Sequence, residues 1–297
     1  MNDPRTIEVM ANGLRFAAIE QGPADGQLLL CLHGFPDNAQ TFKHQMPVLA
    51  QAGYHVVAPY MRGYAPTQAS PDGVYQTAAL ARDVVGLIDA LGDGAKKAVV
   101  FGHDWGALAA YGAAILAPDK IESLITVAVP YGPRLTTAFT DNYAQQKRSW
   151  YMFFFQGPLA ETAVTASDLR FIRNLWKDWS PTWNIPETDI APVLDTLSQP
   201  GVVEAALGYY RCLFNPAAHD PALLGDQMRI GIEPVPVPTL YLHGSDDGCI
   251  GLELLEEMES AFPAGLRKTV IDGAGHFVQL EKPAEVTVEI LKFLGTE

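Results

Sequence analysis

Short apolar runs alternating with amphipathic helical patterns constrain this chain more than any other feature. Residues 14–19 and 28–32 read as strands, joined by the turn Gly22-Pro23-Ala24-Asp25-Gly26. A helix is expected over residues 41–52, and HVVAP at 55–59 is a buried strand. Thr77–Leu91 places Leu80, Val84, Leu87, Ile88 and Leu91 on one helical face. A strand at 97–101, a helix at 107–116 and a strand at Ile121–Val127 follow. Strands separated by helices of this length predict a mostly parallel sheet with helices on both faces.

The alternation stops after residue 131. Residues 132–230 hold Trp150, Trp176, Trp179 and Trp183 and show no strand-helix rhythm. It resumes with a strand at 239–243, a helix at 252–260, a strand at 268–271 and a last helix at Pro283–Leu294. The expected organisation is an α/β core made of residues 1–131 and 231–297, interrupted by a helical cap at 132–230. The proline-rich stretch at 233–239 is the return linker.

Composition narrows the function. The 297 residues carry a net charge of −14, which argues against nucleic acid or an anionic membrane as partner. With 48% hydrophobic and 18% charged residues, the chain is not a disordered one. Cys31, Cys212 and Cys249 form no C-x-x-C pair, so neither a disulfide framework nor a zinc cluster is expected. The start lacks the basic-then-apolar pattern of a signal peptide, and no apolar run reaches the roughly 20 residues of a membrane span. These features predict a cytoplasmic location.

Chemistry concentrates at Gly102-His103-Asp104-Trp105-Gly106, between a strand and a helix. A G-x-X-x-G turn in that setting is a nucleophile elbow, and its central residue sits on a tight, strained turn. Esterases and lipases carry serine there, whereas this chain carries Asp104. A carboxylate is already a nucleophile at neutral pH. It can open an epoxide or displace a halide at saturated carbon, and water can then hydrolyse the resulting ester.

Two further strand ends supply partners. His276, in Gly273-Ala274-Gly275-His276-Phe277, follows a strand and precedes the last helix. Asp247, in HGSDDG, stands where a carboxylate would orient that imidazole, with Asp246 as the fallback. The order Asp104, Asp247, His276 is that of nucleophile, acid and base in α/β-hydrolases. Leu32-His33-Gly34-Phe35-Pro36 can aim the Phe35 N–H at the site, forming an oxyanion hole with the Trp105 N–H. His33 and His103 are expected to brace loops rather than react. His44, His55, His219 and His243 show no metal-ligand spacing.

Together these segments resemble the epoxide hydrolases of the α/β-hydrolase superfamily, in its aspartate-nucleophile branch. HGFPD at 33–37, RGYAPT at 62–67, GHDWGA at 102–107 and GAGHFVQLEKP at 273–283 carry the resemblance. It implies the α/β-hydrolase fold, no cofactor and no metal. It also implies two cap tyrosines that hold and protonate the epoxide oxygen, matched by Tyr151 and by Tyr210 directly before Arg211.

The reaction expected is conversion of a small apolar epoxide and water to a vicinal diol through an ester on Asp104. Phe35, Trp105, Tyr151, Tyr210 and Phe277 are expected to contact the substrate. A haloalkane dehalogenase using the same triad is the alternative, and a non-catalytic ligand-binding protein a more distant one. A homodimer is left open.

Overall fold

A computed structural model of the protein describes residues 3–92, 94 and 96–296. Eight strands form one sheet: β1 Arg5–Ala11, β2 Leu14–Gln21, β3 Gln27–Leu32, β4 Tyr54–Pro59, β5 Ala98–His103, β6 Ile121–Val127, β7 Thr239–Gly244 and β8 Leu266–Ile271. Their spatial order is β1-β2-β4-β3-β5-β6-β7-β8. The pairs β1–β2 and β2–β4 are antiparallel, and β3 to β8 pair with one another in parallel. The protein thus has the predicted α/β architecture.

The helices are α1 Met46–Gln51, α2 Thr77–Leu91, α3 Trp105–Leu116, α4 Pro133–Asp141, α5 Tyr143–Arg148, α6 Trp150–Phe154, α7 Ala160–Trp179, α8 Glu187–Leu197, α9 Val202–Phe214, α10 Leu224–Ile232, α11 Val278–Glu281 and α12 Pro283–Leu294. The seven from α4 to α10 lie between β6 and β7 in the chain. No helix among the described residues is long and apolar enough to cross a membrane.

Strand periodicity sorts the core into two layers. Leu28, Leu30 and Leu32 of β3 face the layer holding α2, α3 and the inserted helices, while Leu29 and Cys31 face the layer holding α1 and α12. The central strands β4, β5 and β7 are buried at every position, as expected for parallel strands covered on both faces.

Two local expectations are corrected. The helix expected over 41–52 is instead a 3₁₀ turn, Ala39–Phe42, followed by the short α1. Pro47 has no N–H and a fixed φ, so it fits the first turn of a helix and not its interior. The helix expected at 252–260 is two 3₁₀ turns, Leu252–Leu255 and Met258–Ala261, separated where Glu257 adopts φ 63°. Strand β1 was not anticipated. It pairs with β2 through the two-residue turn Asn12-Gly13, both at positive φ, an arrangement typical of tight hairpins.

One buried ion pair ties the loop after β4 to the helical layers. The Arg62 guanidinium donates from Nε and Nη2 to the two Asp83 oxygens at 2.6 and 2.7 Å, and from Nη1 to the Val74 carbonyl. Tyr209 of α9 donates to the Arg62 carbonyl at 2.8 Å. Replacing Arg62 with Ala would leave the Asp83 carboxylate buried and uncompensated, so a loss of about 3–5 kcal/mol is expected in urea denaturation. The double variant Arg62→Leu/Asp83→Leu should recover most of that loss.

Candidate active site

The site forms at the C-terminal ends of β3, β5, β7 and β8, and three glycines make it possible. A Cβ on Gly106 would come 2.0 Å from the Leu32 carbonyl oxygen, and one on Gly34 would come 2.2 Å from Asp104 Oδ1. A Cβ on Gly102 would come 2.3 Å from the Gly106 carbonyl oxygen. Real atoms do not approach so closely, so only glycine lets the turn after β3 lie against the turn after β5. Between Gly102 and Gly106, Asp104 adopts φ 53°, ψ −118°, a strained conformation for a residue with a side chain.

That strain places the carboxylate. Asp104 Oδ1 accepts from the Phe35 N–H at 2.7 Å. Trp105, as the first residue of α3, has an N–H with no carbonyl one turn back to bond. His33 holds the neighbouring loop. Its Nδ1–H donates to the Gly34 carbonyl at 2.9 Å, and its Nε2 accepts from the Met61 N–H at 3.0 Å. Burial lowers the His33 pKa to about 4, so the ring is neutral and braces the loop.

His276 lies between two carboxylates. Its Nδ1 donates to Asp247 Oδ2 at 2.9 Å, and its unpartnered Nε2 lies 3.6 Å from Asp104 Oδ2. Burial disfavours a charged imidazole here, but the charges of Asp247 and Asp104 outweigh it and raise the pKa to about 10. Asp247 itself is held below the usual carboxylate range. Burial opposes this, but the neighbouring His276, the nearby His243 and loop N–H groups prevail. Those loop donors are the Cys249 and Ile250 N–H groups, on Oδ1 at 2.7 and 2.9 Å. Asp246, by contrast, is partly exposed and bonds the Ser245 hydroxyl.

Asp104, Trp105, Tyr151 and Tyr210 line one cavity of about 720 Å³. The Tyr151 and Tyr210 rings meet edge to face, with centroids 5.6 Å apart. The Tyr151 hydroxyl touches Cys249 Sγ at 3.4 Å, and the Tyr210 hydroxyl, beside the Trp105 side chain, makes no full hydrogen bond among the described residues. Burial raises both phenol pKa values well above the ordinary value, and the Asp104 charge adds to the effect. Both therefore remain protonated donors.

Two of the expected contact residues lie elsewhere. Phe277 is fully buried with its ring stacked on Trp176 at 4.1 Å, and it is not part of the cavity wall. The Phe35 ring likewise packs among Phe155, Trp179 and Tyr210, leaving only its N–H turned toward Asp104.

Several supports were not foreseen. The Trp179 carbonyl, at the end of α7, accepts from both the Gly248 and the His276 N–H, each at 3.0 Å. Ser180 Oγ also accepts from the His276 N–H and donates to Glu281. Glu281 in turn accepts from the Gly275 and Phe277 N–H groups. Behind the imidazole, His103 Nε2 donates to the His276 carbonyl at 3.0 Å. Its Nδ1 lies 4.0 Å from Asp37 Oδ2, neither atom having a hydrogen-bond partner among the described residues. Glu281, five residues beyond His276, was the one visible cue; a backbone carbonyl such as that of Trp179 leaves none. Among the described residues, Asp247, Cys249 and His276 are the group whose ligand-type atoms lie close enough, within 4.8 Å, to hold a metal ion. Those atoms already bond within the protein.

Comparison with known proteins settles the family. Residues 27–283 match the family model described as alpha/beta hydrolase fold. Epoxide hydrolase 3 of Mus musculus is 30% identical over 96% of this chain and 75% of its own length. The chain belongs to the epoxide hydrolase family of α/β-hydrolases. Epoxide hydrolase A of Mycobacterium tuberculosis is 29% identical, covering 99% of this chain and 98% of the relative. A crystal structure of Bacillus megaterium epoxide hydrolase in complex with an inhibitor superposes with a TM-score of 0.82 at 27% identity, covering 98% of this chain and 100% of that one. The chain is therefore an enzyme, a hydrolase of the class that acts on ether bonds.

The electrostatics of the site can be tested directly. NMR titration should find His276 protonated to about pH 10 in the wild type. With Asp247→Asn the ring should titrate well below that value, because a principal stabilising charge is gone. Asp246→Asn should leave the titration where it was.

Proposed function

We propose that the protein hydrolyses an epoxide to a vicinal diol, with Asp104, Asp247 and His276 as its catalytic triad and residues 132–230 as a cap that carries the proton donors. One observation carries this reading: a carboxylate held by a backbone N–H shares a cavity with two protonated phenols, and an imidazole nitrogen stands 3.6 Å away. The family relatives named above support the same reaction. Three buried free thiols are in keeping with a cytoplasmic location.

In the first step Asp104 attacks an oxirane carbon and the carbon–oxygen bond breaks. Oδ1 is tied to Phe35, so Oδ2 is the freer oxygen to attack. Tyr151 and Tyr210 bind the epoxide oxygen, and one gives it a proton. Esterification removes the Asp104 charge, one of the influences holding His276 in its protonated form. The imidazole can then lose its proton to solvent and act as a base, so the first step switches on the second.

In that second step His276 takes a proton from water, which adds to the ester carbonyl. The oxyanion forms on Oδ1, facing the Phe35 and Trp105 N–H groups. Collapse expels the diol oxygen, which takes the proton from His276. The proton of the regenerated Asp104 acid restores the phenol, and His276 takes a proton back from solvent to regain its resting charge. Asp247 keeps the imidazole oriented throughout.

Three measurements test the scheme. A single turnover in ¹⁸O-water should give a first diol whose new oxygen comes from the protein; label present at once would exclude the ester. Tyr151→Phe/Tyr210→Phe should slow ring opening about 10²–10⁴-fold. In stopped-flow experiments the ring-opening rate should vary little between pH 6 and 9. The ester-hydrolysis rate should rise with pH to a plateau whose midpoint lies below the value of about 10 for the free imidazole.

A further inference from the structure

We infer that the substrate is an uncharged epoxide with a long apolar arm, its oxirane at Asp104 and its arm running out between α4, α9 and α10. This rests on the proposed epoxide hydrolysis and specifies the substrate class. The cavity holding Asp104, Tyr151 and Tyr210 extends well past them, with a volume in the range that buries drug-sized ligands. Leu135, Phe139, Met152, Leu213, Phe214 and Ile232 form its outer walls. At the mouth, Ile232 is 78% and Leu213 42% exposed, so apolar side chains line the route out to solvent.

Most polar wall groups are turned to the protein itself. The Tyr131 hydroxyl bonds the Ile230 and Glu233 carbonyls at 2.6 and 2.7 Å. Gln227 Oε1 accepts from the Ala78 N–H, and the Thr136 and Ser260 hydroxyls donate to the Gly132 and Glu257 carbonyls. An arm in this channel therefore meets mainly hydrocarbon.

Charge sets the second half of the inference. Among the described residues the wall includes Asp104 and Glu233 but no Lys, Arg or His. Arg229, close to the mouth, is engaged by Glu233 and by the Ile115 carbonyl. A carboxylate on the arm would lose hydration without gaining a cation, in a chain of net charge −14. A neutral arm meets no such penalty.

The test is a series of 1,2-epoxyalkanes from four to twelve carbons, together with an ω-epoxy fatty acid short enough for its carboxyl to lie inside the channel, and its methyl ester. Each buried methylene should raise kcat/KM about fourfold until the chain reaches the mouth, after which the increase should level off. The ester should exceed the acid at least tenfold, and Leu213→Arg should narrow that ratio by supplying a cation. Flat kcat/KM across a series that is otherwise hydrolysed would overturn the long arm while leaving epoxide hydrolysis intact. An acid turned over as well as its ester would overturn the charge discrimination. If no epoxide of any length reacts, the proposed function falls and this inference with it.

Discussion

Everything at the sheet's C-terminal edge depends on how closely two backbone turns approach each other. The loop after β3 and the elbow after β5 touch where Gly34, Gly102 and Gly106 leave no room for a side chain. This contact puts the Phe35 N–H on Asp104 and forces residue 104 into its strained conformation. Strain of this kind survives only where the surrounding packing fixes it. Here the fully buried strands β5 and β7 and the buried helix α3 supply that packing.

Electrostatics follow from this geometry. Two carboxylates and one imidazole sit together with almost no exposure to water, and the imidazole settles the imbalance by holding a proton. In the mechanism proposed above, that balance changes when one of the negative charges is consumed. His33 and His103 show the opposite outcome in the same neighbourhood. Burial lowers their pKa values to about 4 and about 3, so they serve as neutral hydrogen-bonding braces.

What the sequence disclosed divides along physical lines. The sheet was legible because buried parallel strands are continuous apolar runs, and α2 because its apolar residues recur at the helical period. The hairpin strand β1 was missed: its exposed, alternating residues give a weak signal beside those runs. The helix expected through residue 47 failed on a proline. Asp104, Asp247 and His276 could be located because each follows a strand in a short, glycine-bearing turn. Phe277 could not be placed, since adjacency to His276 does not reveal which way a ring points. It points into the Trp176 stack.

The Trp179 carbonyl has a consequence for traffic. It fastens the end of α7 to both the Asp247 loop and the His276 loop, and Ser180 adds a second latch. The inserted helices therefore cannot swing away from the sheet as a hinged cover without unfastening the very imidazole they shelter. The opening flanked by α4 and α10 offers a side door that leaves this fastening in place.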